Sequence, residues 1–126
     1  MSHPRKRILV IDDEPEIAEL IQSALEHDSG DYEVITANSG NEGLQMTKNE
    51  HPDLVILDVM LPSTGGYEVC AKLKCDSSYP KVPVIMLTAR GGDLDKKMGL
   101  DCGADMYLTK PFDRRKLLNG VHRLLA

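Results

Sequence analysis

The chain has 126 residues, 41% hydrophobic and 28% charged, which suits one globular domain with a full core. A formal net charge of −5 argues against a general nucleic-acid binder, and 4% aromatics with no Trp argue against a base-stacking platform. No apolar run approaches the ~20 residues of a membrane span, and the apolar part of "MSHPRKRILVIDDEPE" is too short for a secretory signal, so a cytoplasmic location is expected.

In chain order the signals alternate between strand and helix, five times. "RILVID" (7–12) is an apolar run ending in acid. "EPEIAELIQSALEHD" (14–28) places Ile17, Leu20, Ile21, Ala24 and Leu25 on one helical face, with Pro15 in the first turn and Gly30 after the last. "YEVITA" (32–37) is a second strand, and "NSGNEGLQMTKNE" (38–50) a second helix that opens with capping residues but holds two glycines. "DLVILD" (53–58) is a third strand, apolar on both faces. "GYEVCAKLKC" (66–75) is a third helix with Val69 and Leu73 inward. "VPVIML" (82–87) is a fourth strand with Pro83 near its start, and "DLDKKMGLDCG" (93–103) a fourth helix. "DMYLT" (105–109) is a short fifth strand. "DRRKLLNGVHRLLA" (113–126) is a fifth helix with Leu117, Leu118, Val121, Leu124 and Leu125 inward. The alternation predicts a parallel sheet, with strands one, three and four central and covered on both faces. Cys70, Cys75 and Cys102 have no ligand spacing and read as reduced thiols.

Charged and hydroxylic residues fall at the ends of these strands. Asp12 and Asp13 end the first, Asp58 the third, Thr88 the fourth and Lys110 the fifth. In a parallel sheet these ends share one edge, where ligand sites form. Singly, each has a plain structural reading: an Asp after a strand caps a loop, and a lone lysine is a surface charge. Together they make a different case. Clustered carboxylates repel unless a cation sits among them, and Asp oxygens suit a hard ion such as Mg2+. A lysine and a threonine hydroxyl complete a cradle for a phosphoryl group, and a carboxylate can itself be the nucleophile. Asp58, at the end of the middle strand, is the best placed.

The segments "ILVIDDEPE", "PDLVILDVMLPSTGGYEV", "PVIMLTA" and "GADMYLTKPF" carry a family resemblance. Over essentially its whole length the chain resembles the receiver domain of two-component response regulators. The resemblance implies one receiver domain over residues 1–126 with a three-layer, flavodoxin-like (βα)5 fold and strand order 2-1-3-4-5. It implies that Asp58 is the phosphoacceptor, and that Asp12, Asp13, Asp58 and the backbone carbonyl of Met60 hold Mg2+, or Mn2+ in its place. It makes Thr88 a switch hydroxyl, Lys110 the ion-pair partner of the phosphoryl group, and Tyr107 an aromatic switch. The Lys110–Pro111 bond would be cis. The implied partners are a sensor histidine kinase or phosphotransfer protein, a downstream protein or fused effector, and a second copy of the chain after phosphorylation, with no direct nucleic-acid or membrane contact. One departure is Gly65, where many relatives carry an acid.

Two rival readings come from other classes. A haloacid-dehalogenase-like phosphatase needs a DxD pattern on the first strand, and "DDE" lacks it. A flavodoxin-like cofactor carrier needs a Ser/Thr/Gly-rich phosphate loop there, and "DDEPE" repels phosphate. A phosphorylation-activated switch that turns over no external substrate is the expectation.

Overall fold

The computed structural model describes residues 5–27, 32–61, 65–88, 103–110 and 112–125. The strands are β1 (Lys6–Ile11), β2 (Tyr32–Ala37), β3 (Leu54–Asp58), β4 (Val84–Thr88) and β5 (Met106–Thr109). The described helices are α1 (Pro15–Glu26), α2 (Gly40–Glu50), α3 (Gly66–Cys75) and α4 (Arg114–Leu125), the last being the helix expected as the fifth. The segment expected as the fourth helix lies almost wholly outside the described residues, as do Cys102, Pro111 and the side chain of Thr88.

All five strands pair in parallel, in the order β2-β1-β3-β4-β5. The expected fold class and strand order are both observed. β1, β3 and β4 are interior, and Leu54 to Leu57 have no exposed surface, which accounts for a run with no polar alternation. Successive side chains feed opposite layers. Ile8, Val10, Leu54, Ile56, Ile85 and Leu87 face one side, beneath Ile21 and Leu25 of α1 and Leu117 and Val121 of α4. Leu9, Ile11, Val55, Leu57, Val84 and Met86 face the other, beneath Leu44 of α2 and Val69, Cys70 and Leu73 of α3.

One local expectation changes, and one puzzling residue finds its reason. Leu20, expected inward, is 58% exposed. The buried stripe of α1 is Ala18, Ile21, Ala24 and Leu25. At about 100° per residue, Leu20 points roughly a right angle away from the centre of that stripe. In α2, Gly43 sits where a Cβ would come within 2.6 Å of Ile11 Cγ1, so the low-propensity residue permits close helix-to-sheet packing. Ser39 caps this helix by accepting from the Glu42 N–H at 3.2 Å.

Ion pairs secure the opposite edge of the sheet. Arg7 pairs with Glu33 at 3.4 Å and Glu50 at 3.5 Å, so this basic residue is a structural tie. Lys74 Nζ, near the end of α3, donates to Val82 O at 3.0 Å and to Asp105 Oδ2 at 2.8 Å. Asp105 Oδ2 also accepts from the Val84 N–H at 2.8 Å, and the Asp105 N–H donates to Val84 O at 2.9 Å. α3, the entry of β4 and the entry of β5 are thereby clasped at one point.

Candidate functional site

Asp12 follows β1 and Asp58 ends β3, adjacent strands in register, so the two carboxylates emerge side by side. They are 1% and 2% exposed. Each divides its two oxygens in the same way. Asp12 Oδ1 accepts from the Glu14 N–H at 2.9 Å, and Asp58 Oδ1 from the Met60 N–H at 3.1 Å. Both are bonds from residue i to i+2 that fold the chain back after the strand. The remaining oxygens meet a common cation: Lys110 Nζ lies 3.3 Å from Asp12 Oδ2 and 3.4 Å from Asp58 Oδ2. The acids are therefore loop caps and site groups at once.

Asp13 and Glu14 complete an acidic cluster. Ligand oxygens of Asp12, Asp13, Glu14 and Asp58 all lie within 4.8 Å of one another. Lys110 lies within ion-pair reach of two of these carboxylates, Asp12 and Asp58, and Asp12 carries a shifted pKa. Burial raises its pKa above the ordinary 3.8, and the Asp58 charge adds to this, against the Glu14 N–H and Lys110, which lower it. Burial alone would push Lys110 down, yet the charges of Asp58 and Asp12 outweigh it and hold the ammonium above its ordinary 10.5. The two shifts have different causes: Asp12 moves up chiefly because it is buried, and Lys110 moves up because two carboxylates favour its charged form. A donor set of crowded carboxylate oxygens with a deficit of cationic charge fits a hard divalent ion such as Mg2+.

Gly66 aligns the loop after Asp58. Its N–H donates to Val59 O at 3.1 Å. A Cβ there would stand 2.6 Å from Val59 Cα and collide with Asp58 O, so the start of α3 rests directly on the backbone of the site. Met60 is 55% exposed beside it. Tyr107, in β5 opposite Met86, is half-buried against the core layer beneath α2 and α3. Thr88 ends β4 opposite Thr109 in the register, its backbone on the edge that carries Asp58 and Lys110.

The sequence pattern of the response regulator receiver domain matches residues 8–122. The chain belongs to that family. Its function is phosphorylation-activated signalling, and an acidic cluster of this kind is where its members bind Mg2+. Among curated relatives, the chain is 48% identical over 120 residues to the alkaline phosphatase synthesis transcriptional regulatory protein PhoP of Bacillus subtilis, covering 95% of this chain and 48% of that protein. It is 45% identical over 119 residues to the DNA-binding dual master transcriptional regulator RpaA of Synechocystis, covering 94% and 48%. The chain thus spans about half the length of these relatives. Solved structures agree on the fold. A response regulator from Chloroflexus aurantiacus superposes with a TM-score of 0.88 at 36% identity, covering 96% of this chain and 98% of that one. The receiver domain of DrrB activated by BeF3 gives 0.85 at 36% identity, covering 96% and 97%. No helix among the described residues is long and apolar enough to cross a membrane.

Of the residues expected at the receiver site, Asp12, Asp13, Asp58 and Lys110 come together. Met60 contributes its amide to Asp58. Sequence reasoning missed Glu14 and Gly66. The signal for Glu14 was present in "DDEP", since Pro15 holds the preceding residue extended, beside the acid pair.

Proposed function

We propose that Asp58 is the phosphoacceptor of this receiver and that the four-strand-end cluster is its phosphorylation site. The observation that supports it best is the shared lysine, since one ammonium lies 3.3 and 3.4 Å from carboxylates delivered by two different strands. A phosphohistidine of a sensor kinase or phosphotransfer protein presents its phosphorus to an Asp58 oxygen. The new O–P bond forms as the P–N bond breaks, and the imidazole nitrogen keeps the bonding pair. Asp12, Asp13, Asp58 and the backbone carbonyl of Met60 are the groups that would hold Mg2+, or Mn2+ in its place. When bound, the ion offsets negative charge on the transferring group.

Lys110 then exchanges part of its contact with Asp58 for the phosphoryl oxygens. The Thr88 hydroxyl turns toward the same group and the Tyr107 ring moves inward behind it. This shifts the packing of β5, α4 and the segment 93–103 expected as the fourth helix, which lies outside the described residues but for Gly103; together they are the face offered to a downstream protein, a fused effector or a second copy of the chain. The chain turns over no external substrate in this reading, and its net charge of −5 leaves nucleic-acid contact to other parts of a regulator.

Incubation with acetyl phosphate and Mg2+ is expected to add one phosphoryl mass to the wild type and none to Asp58→Asn. Chelation with EDTA should abolish the gain, and sizing chromatography with beryllofluoride should show a dimer. A phosphoryl gain in Asp58→Asn, or in wild type with EDTA, refutes the site. A monomer under both conditions removes the dimer alone.

A further inference from the structure

Glu14 is the N-cap residue of α1, yet its side chain makes no capping hydrogen bond. Its backbone is fixed from both sides. The N–H is held by Asp12 Oδ1 at 2.9 Å, and Pro15 keeps the residue extended, at φ −99° and ψ 106°. Good N-caps are short side chains such as Ser, Thr, Asp and Asn, so a glutamate gains little from this position as a cap. Its carboxylate instead reaches within 4.8 Å of those of Asp12, Asp13 and Asp58. Unlike Asp12 and Asp58, it is exposed at the rim.

Resting on the phosphoacceptor reading above, we propose that Glu14 is a positioning residue for the divalent cation of this site, acting through the ion's water shell. Mg2+ dehydrates reluctantly and keeps several waters when it binds through one or two carboxylates. A rim carboxylate held by a rigid backbone accepts hydrogen bonds from such waters and adds negative charge without joining the inner ligands. Groups of this kind set metal affinity. The "DDE" triplet would then place an acid that acts through the ion's waters directly after two acids of the cluster that would hold it.

Mg2+ titration of the whole chain by calorimetry tests this, with Glu14→Gln, Glu14→Asp, Asp13→Asn and Glu16→Gln alongside the wild type. Glu14→Gln is expected to raise the half-saturating Mg2+ concentration about three- to tenfold at low ionic strength, with the difference shrinking in high salt because the charge is exposed. Glu14→Asp, which keeps the charge, should fall between Glu14→Gln and wild type. Glu16→Gln, on the same helix but outside the cluster, should match the wild type. If Glu14→Gln binds Mg2+ like wild type while Asp13→Asn binds weakly, the role of Glu14 is overturned and the site stands. If Asp13→Asn also binds like wild type, the cation site itself is wrong and this inference falls with it. Equal weakening in Glu14→Gln and Glu14→Asp would mean that shape, not charge, matters, and would also overturn the proposal.

Discussion

Asp12 and Asp58 each spend one oxygen on the loop that follows and one on Lys110. The two roles could not be separated in the sequence. An aspartate after an apolar run reads as a cap or as a chemical group, and here the same carboxylate is both. The raised pKa of Asp12 has a sign that can be tested. A carboxyl whose folded pKa lies above its unfolded value contributes stability that is fully present below the unfolded pKa, near 3.8, and is lost as the pH rises through the folded value. Without metal, Asp12→Asn should therefore be more stable than wild type at neutral pH, by on the order of 1 kcal/mol or a few degrees in Tm. The advantage should vanish in acid, below the unfolded pKa. Millimolar Mg2+ should raise the wild-type Tm and raise that of Asp12→Asn less. Thermal melts at several pH values, with EDTA or with Mg2+, check both signs, and equal Mg2+ shifts in the two proteins would count against the shared site.

The strands were legible as elements because three of them are buried on both faces, and an apolar run as short as "LVIL" between polar residues suits an interior strand better than a helix. The helices were legible from periodicity, but only approximately in direction. Leu20 belonged to the expected stripe by spacing and lies outside it in space. Glycines were the least legible, because a sequence shows their low propensity and hides the neighbour they make room for. Gly65 and Gly66 illustrate the difference. Gly65 is the N-cap of α3 in extended geometry, with no atom within 4 Å of where a Cβ would stand. Gly66 has the backbone of Asp58 and Val59 there. Gly65→Asp should thus supply a missing side-chain cap and stabilise the chain by about 0.3 kcal/mol, since glycine is itself a fair N-cap. Gly66→Ala should destabilise it by about 1–3 kcal/mol and slow phosphorylation by shifting the loop after Asp58. Urea unfolding and the rate of mass gain from acetyl phosphate read the two effects. Equal tolerance at both positions would contradict the packing described for the start of α3.

At the scale of the whole molecule, β5 is one of the two edge strands of the sheet, four residues long and only partly buried. Its entry is held by the Lys74–Asp105 clasp and its exit by Lys110. These two attachments differ in kind. The clasp joins residues remote from the acidic cluster. Lys110 joins the strand to the two carboxylates at the heart of it. Any change in charge at Asp58 therefore acts on one end of β5 and leaves the other pinned, like a door that swings because only its latch is released. The motion expected is a pivot about Asp105, growing along the strand toward Thr109, rather than a rigid displacement. Amide hydrogen exchange gives it a measurable form, since local opening energies can be read residue by residue. With beryllofluoride and Mg2+, protection should change most at Leu108 and Thr109 and least at Asp105. Lys74→Met should erase that gradient by freeing the pinned end, so that Asp105 then exchanges with the rest of the strand. A uniform change along β5 in the wild type would mean that the strand moves as one piece.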